Sequence, residues 1–246
     1  MTSSRITPVL WATLLSAALL LSACGGSSDG DAAAAPAAAA SAPTASSAFA
    51  ACFEITPGVA YTTTDPGGTP DGVLLTREAF EGSVRNTGVE FVDATQVRSV
   101  ATYWSREANG IRLWGDVDYD NAGTAERKAV FSDGALLPLA PQVGQAIPLS
   151  YTITVTPLSP SAGTQVLTQP VQETWTFEGL ETLTLGGRTF ADACRLRRLD
   201  ANAAATGDGP STLWFAKGFG NIRSRHTDSS GAVLEETELL TLTAAP

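Results

Sequence analysis

The sequence predicts an all-β domain of antiparallel meanders, and three observations lead to this fold class. Short runs rich in β-branched and aromatic residues are separated by turn residues, and Asn109-Gly110 between two such runs is a strong hairpin signal. Outside the N-terminal leader, no stretch of about twelve residues repeats its apolar positions with a helical period. A similar order of motifs also occurs twice along the chain. We therefore expect a curved sheet, or a half-barrel or barrel-like domain.

The predicted strands follow one another along the chain, and Gly, Pro, Asn or Asp separates them. The first half holds Val59–Thr64, Glu78–Gly82, Val89–Phe91, Gln96–Ser105, Gly110–Tyr119 and Glu126–Phe131. Asp65–Gly72 is predicted as a loop, and Asn86–Gly88 and Asn121–Gly123 as turns. The second half holds a long hairpin around Pro157–Gly163 and further short strands: Ala146–Thr156, Val166–Phe177, Leu183–Leu185, Arg188–Leu199, Thr212–Ala216, Ile222–Thr227 and Val233–Thr243.

An internal repeat relates two parts of the domain, about residues 75–135 and 172–243. The paired motifs keep their order: Phe80–Gly82 with Phe177–Gly179, Phe91–Arg98 with Phe190–Arg197, Trp104 with Trp214, Ile111 with Ile222, and Asp120–Gly123 with Asp228–Gly231. We predict a duplication in which each copy is a meander of about five strands. Independent use of similar turn residues is the alternative explanation.

The N-terminal residues have the features of a signal peptide. Arg5 is the only charged residue before an apolar stretch, Val9–Leu21, which is too short to span a bilayer. Leu21-Ser22-Ala23-Cys24 resembles the lipobox of bacterial lipoproteins. The resemblance implies removal of residues 1–23 and lipid attachment at Cys24, which would anchor the chain in the membrane. Gly25 stands where an Asp would mark inner-membrane retention in that family, so the resemblance implies the outer membrane, facing the periplasm. An ordinary secretory signal is the alternative.

The residues after the leader predict a tether followed by one domain. Residues 24–50 are mostly Gly, Ser, Ala and Pro, a composition that cannot bury enough apolar surface to fold by itself. We expect a disordered tether there, and a single β domain over residues 51–246. The 246-residue chain has a formal net charge of −10. This acidity argues against nucleic acid as a partner, because such binding depends on neutralising phosphates.

The remaining cysteines, Cys52 and Cys194, predict a disulfide in the oxidising envelope. Two buried free thiols are the alternative. A catalytic cysteine is not favoured, because His226 is the only histidine and neither cysteine has a local nucleophile signature.

The second half of the domain carries a further resemblance. Leu185–Phe190 leads to Cys194, and the aromatic and glycine-rich stretch Leu213–Ile222 follows. This pattern resembles uncharacterised lipobox-bearing envelope lipoproteins of Gram-negative bacteria, and Cys52-Phe53 resembles the start of the same group. The resemblance implies a β-rich envelope protein and assigns no activity. A more distant similarity is to the half-barrels that carry lipids or lipoproteins across the periplasm.

Two groups of residues are candidate sites. Asp116, Asp118 and Asp120 alternate along one strand, so their carboxylates would share a face that could hold Ca²⁺. A solvated strand end that enters a turn is the alternative. The second group combines cations and aromatic rings that could bind an anionic or hydrophobic ligand: Arg195, Arg197, Arg223, Arg225, Trp104 and Trp214. Cross-strand pairing of the arginines with Glu235, Glu236 and Glu238, and packing of the tryptophans in the core, are the alternatives.

These observations favour a lipid-anchored binding module without a cofactor, whose partners are the membrane, a hydrophobic or anionic small ligand and an envelope protein. No catalytic motif is evident, so we expect a protein that is not an enzyme. Two alternative functions remain open. One is a structural or assembly role at the outer membrane, and the other is hydrolysis of envelope glycans by paired carboxylates.

Overall fold

The structure, a computed structural model, describes residues 45–64, 70–92 and 96–244. The signal peptide, Cys24 and the tether up to residue 44 lie outside the described residues, as does most of the predicted loop Asp65–Gly72. Two short helices are present, α1 (Ala45–Cys52) and α2 (Ala203–Thr206). The strands are β1 (Ala60–Thr63), β2 (Asp71–Phe80), β3 (Ser83–Val92), β4 (Val97–Arg106), β5 (Ile111–Tyr119), β6 (Ala125–Phe131), β7 (Leu136–Leu137), β8 (Ala146–Pro157), β9 (Leu167–Leu185), β10 (Arg188–Asp200), β11 (Asp208–Ala216), β12 (Gly220–Asp228) and β13 (Val233–Ala244). Among these residues, no helix is long and apolar enough to cross a membrane.

The strands form one antiparallel sheet that closes into a barrel. Their order is β4-β3-β2-β1-β13-β12-β11-β10-β9-β8-β6-β5, and pairing of β4 with β5 closes the ring of 12 strands. The short β7 pairs with β5 as an additional strand. The predicted all-β class and the barrel-like architecture are therefore confirmed.

Residues that alternate along each strand point to the interior or to the outside of the barrel. The interior is packed at one end, which we call the packed end. Leu75, Trp104, Phe177 and Leu196 lie on the interior face there, each less than a tenth exposed. A second buried cluster, which includes Val89, lies on the opposite face of β2–β5. The barrel is thus filled by side chains at the packed end.

The segment from α1 to β1 fills this packed end. Phe49 is fully buried and packs edge-on against Phe177 of β9, with ring centroids 5.1 Å apart. The ring of Phe53 stacks on Phe215 of β11 at 4.7 Å, and its carbonyl accepts a 2.8 Å hydrogen bond from Trp104 Nε1 of β4. Because β4 and β11 lie on opposite sides of the ring, the segment bridges the interior.

Two predictions from the sequence concern the segment from α1 to β1. The disulfide Cys52–Cys194 is confirmed and ties the end of α1 to β10. The prediction of a tether up to residue 50 is wrong for residues 45–50, which form most of α1. The reason is tertiary: a helix of eight mostly small residues is too short to be stable by itself, and Phe49 is held in it because its ring is buried in the barrel interior.

Three details of the strand pattern are also corrected. Asn86–Gly88 is not a turn but lies inside β3, because Asn86 and Gly88 pair continuously with β2 and β4. Gly72 belongs to β2 instead of the predicted loop. The short β7 and α2 had no signal in the sequence. For Asn86–Gly88 and Gly72, pairing with a neighbouring strand outweighed the local preference for a turn. The elements β7 and α2 form within connections between longer strands.

The structure relates only some of the proposed repeat positions. Asp120–Gly123 and Asp228–Gly231 form matching turns, in which an aspartate side chain accepts hydrogen bonds from backbone amides two and four residues later. By contrast, Phe80–Gly82 ends β2 in a tight turn, whereas Phe177–Gly179 lies within β9. The duplication stays a prediction.

Candidate functional site

The arginines predicted to bind a ligand lie on the outer face of the barrel. Arg195 and Arg197 alternate with the buried Cys194 and Leu196 on β10. Arg195 pairs with Glu178 at 2.8 Å. Ion pairing on a solvated sheet face is the simpler role for this group.

The other two arginines of that prediction are paired in the same way. On β12, Arg223 and Arg225 both bind Glu236 of β13, at 2.5 and 2.8 Å. This is the cross-strand pairing that the sequence offered as the alternative. Ion pairing is the role that the structure shows for Arg195, Arg223 and Arg225, and ligand binding by the four arginines stays a prediction.

The two tryptophans of that prediction are both packed. Trp104 is 9% exposed in the packed end and donates its indole hydrogen bond to Phe53. Trp214 is 4% exposed on the outer face, where its Nε1 donates to Glu181 and the guanidinium of Arg223 lies 5.0 Å from its ring centroid. Packing is thus the role that the structure shows for both rings, and ligand binding by them stays a prediction.

The predicted calcium site is not formed. Asp116 and Asp118 share the interior face of β5, but Asp120 lies in the following turn, where its Oδ1 accepts hydrogen bonds from the amides of Ala122 and Thr124. In the part of the chain that the structure describes, no group of three or more His, Cys, Asp or Glu side chains could hold a metal ion. The carboxylate of Asp120 is engaged by the backbone of the turn and does not join those of Asp116 and Asp118, which corrects the prediction of a calcium site.

The other end of the barrel, which we call the open end, has a polar and solvent-accessible interior. It carries the β10–β11 and β12–β13 connections. Register places several side chains on the interior face there that are nevertheless exposed: Glu90, Thr102, Arg127, Arg198 and Asp200. A side chain can be both inside a closed ring and exposed only if water reaches it, so the open end is a polar cup.

A buried carboxylate, Glu173 of β9, lies in the wall of this cup. Its side chain is only 1% exposed. Oε1 accepts hydrogen bonds from Trp175 Nε1 at 2.8 Å and from the Tyr151 hydroxyl at 3.1 Å. Oε2 accepts from Arg198 Nε at 2.5 Å. Three hydrogen-bond donors, one of them the Arg198 guanidinium, therefore satisfy the oxygens of this buried carboxylate.

Arg198 of β10 extends from this carboxylate into the cup. Its side chain is 44% exposed, and within the described ranges it forms an ion pair only with Glu173 through Nε. Burial tends to lower the pKa of Arg198, but the Glu173 charge and hydrogen bond outweigh it and raise the pKa above its ordinary value. The guanidinium is thus held in place at Nε and permanently charged, and its two Nη atoms are left to donate into the cup.

Polar residues continue from Arg198 around the cup. Register places Ser211 of β11 beside Arg198, and His226 of β12 beside Ser211. Ser211 Oγ and His226 Nδ1 share a 3.1 Å hydrogen bond, and His226 Nε2 lies 3.8 Å from Asp208 Oδ1. This row supplies further donors and acceptors that could orient a bound ligand.

Carboxylates on the other side of the cup make its interior acidic. Partial desolvation inside the barrel, together with the charges of Asp71 and Glu235, raises the pKa of Glu90 although water reaches its side chain. Burial, helped by the charge of Asp118, raises the pKa of Asp116 to about 7. The cup therefore combines one fixed guanidinium with several carboxylates.

Two small pockets lie near the strand ends. One, of about 140 Å³, is lined by β1 and β2, and the other, of about 280 Å³, lies beside α2 and includes Asp200 in its wall. The second adjoins the open end, because β10 ends at Asp200.

Sequence reasoning missed Glu173 and Arg198, although a signal was present. Glu173 interrupts an apolar alternation formed by Val171, Trp175 and Phe177. Arg198 alternates with Leu196 and therefore points away from Arg195 and Arg197, with which its position suggests grouping. Charged residues at apolar positions of an alternating pattern would have indicated the site.

Comparison with known proteins finds matches among solved structures. No family model matches the chain, and no curated protein matches it. The hypothetical lipoprotein YmcC from Escherichia coli is 16% identical with a TM-score of 0.41, over 81% of this chain and 91% of that one. A protein from Parabacteroides distasonis, provisionally described as a lipoprotein, is 12% identical with a TM-score of 0.33, over 78% of this chain and 98% of that one.

Proposed function

We propose that this protein is a lipid-anchored binding protein of the Gram-negative outer membrane, facing the periplasm, which takes a small polar ligand into the open end of its barrel. The lipobox-like Leu21–Cys24 supports the anchor and its location. Binding needs no cofactor and no catalysis. The partners are the membrane, through the lipid on Cys24, the ligand, and an envelope protein that delivers or receives it; nucleic acid is not a partner.

One observation carries the binding role: the buried Glu173 holds the guanidinium of Arg198 through Nε, while the Arg198 side chain stays 44% exposed on the interior face. A buried ion pair is weak evidence for stability, because desolvation of the charges offsets much of their attraction. A positioned cation in a concave, solvated site is instead the usual way to orient a small ligand. The interior at this end is polar, so the ligand is polar instead of hydrophobic.

Native mass spectrometry of the mature chain, extracted from membranes in a mild detergent, tests this function. We expect extra mass that leaves on activation, and its loss in Arg198→Lys, which keeps a charge for Glu173 but lacks the guanidinium fork. Arg197→Lys on the outer face of the same strand is the matched control and should retain the ligand. A bare wild-type protein, or equal retention in Arg198→Lys, would contradict the proposal. A partner recovered by cross-linking to a bare protein would instead favour the structural role.

A second candidate function, glycan hydrolysis, is favoured by Asp116 and Asp118. They share the interior face of β5 about 7 Å apart by strand geometry, and the pKa of Asp116 is raised to about 7. A protonated acid beside an ionised one is the arrangement that glycosidases use. Release of reducing sugars from purified peptidoglycan, abolished in both Asp116→Asn and Asp118→Asn, would support it; release that survives both changes would count against it.

A further inference from the structure

The proposed ligand site contains a second charge of opposite sign beside Arg198. Asp200 follows Arg198 by two residues on β10, so both share the interior face, about 7 Å apart along the strand. Asp200 is exposed at the strand end, and its charge acts on Arg198 through space. A cation and an anion thus lie side by side at the mouth of the cup.

These two charges do not neutralise each other directly. Arg198 is held through Nε by Glu173 at 2.5 Å, and Asp200 is held through Oδ1 by the amide of Asn202 at 2.7 Å. Among the described residues, Arg198 forms an ion pair with the carboxylate of Glu173 and forms none with the carboxylate of Asp200. Each charge is therefore oriented by a neighbour of its own, and the structure forms no direct ion pair between the two.

We infer that the ligand is a small zwitterion of the α-amino acid type, whose carboxylate accepts hydrogen bonds from Arg198 Nη atoms and whose ammonium group donates to Asp200. This inference rests on the function proposed above and names the ligand class.

Charge in the cup discriminates against simpler ions. A pure anion that reaches Arg198 also meets the carboxylates of Glu173 and Asp200. A pure organic cation that reaches Asp200 meets the guanidinium of Arg198. A zwitterion with the matching order of charges satisfies both, so specificity comes from repulsion of the single ions as well as from attraction.

Three probes of matched size test the inference: glycine, acetate and methylammonium. Each is titrated into the mature full chain in a nonionic detergent at constant ionic strength, and binding is followed by ligand-observed NMR. We expect the Kd for glycine to be at least tenfold lower than that for either single ion. Asp200→Asn, whose amide oxygen keeps the hydrogen bond from Asn202, should abolish this preference of glycine over acetate. Asp192→Asn, an exposed acid elsewhere on β10, is the control and should leave the preference unchanged.

The outcomes separate this inference from the proposed function. Equal binding of glycine and acetate, both lost in Arg198→Lys, would overturn the zwitterion inference while the binding function stands. A tenfold preference for glycine that survives in Asp200→Asn would also overturn it. If none of the probes binds, the inference fails, and the extra mass in native mass spectrometry decides separately whether the proposed function fails with it.

Discussion

Removal of the Cys52–Cys194 disulfide should lower stability by a large and calculable amount. The bridge joins residues 142 apart in sequence, so the unfolded chain gains the freedom of a long loop when it is absent. In the chain-entropy model, closing such a loop corresponds to about 5 kcal/mol at 25 °C. With a urea dependence of about 2 kcal/mol per molar, the double variant Cys52→Ala/Cys194→Ala should unfold at a midpoint more than 2 M lower.

The folded barrel should nevertheless persist in this variant. Phe49 and Phe53 remain packed against Phe177 and Phe215, and Trp104 still donates to the Phe53 carbonyl. Urea unfolding followed by tryptophan fluorescence is the assay, and wild type treated with a phosphine reductant is the control that should match the variant. A midpoint shift below about 0.5 M, or a native fluorescence spectrum already altered without urea, would refute this reasoning.

Three further predictions follow from single residues. Trp104→Phe removes the 2.8 Å hydrogen bond to the buried Phe53 carbonyl and should lower the free energy of unfolding by about 1–3 kcal/mol in urea titrations; an unchanged value would mean that water replaces the indole. The pKa of Asp116 is raised from 3.8 to about 7 in the folded state, so its protonation stabilises the fold below about pH 4, and this contribution is lost as pH rises through about 7. Asp116→Asn should therefore gain stability over wild type as pH increases, and parallel pH profiles of the melting temperature would contradict this. Arg225→Ala should change stability by less than about 1 kcal/mol and leave ligand retention unaltered, because Arg225 is a partly exposed outer-face residue that shares Glu236 with Arg223; loss of the ligand in native mass spectrometry would restore the outer arginines as a site.

The sequence alone predicted much of the strand pattern but less of the site. Asn109-Gly110 predicted the β4–β5 hairpin, because this dipeptide between two β-rich segments is typical of the short connections that join neighbouring antiparallel strands. The outer position of Arg195 and Arg197 follows from their alternation with Cys194 and Leu196. The same alternation already placed Arg198 on the other face, although its proximity to the outer arginines concealed this.

What the sequence by itself determined was local: which segments are strands, where they turn, and which side chains share a face. These follow from backbone preferences and from a period of two residues, and both act over a few positions. The pairing of Cys52 with Cys194 was also within reach, since few cysteines are present.

Only the tertiary structure decided which end of the barrel is filled and which is open. The partners of Glu173 are Tyr151, 22 residues before it, and Arg198, 25 residues after it, and they meet only because β8, β9 and β10 are neighbours in the ring. Phe49 enters the packed end for the same kind of reason, because closure of β4 on β5 creates an interior that it can fill. Local patterns determine which face of the sheet each side chain occupies. Long-range pairing of strands determines which other side chains it contacts there, and this site is built from such long-range contacts.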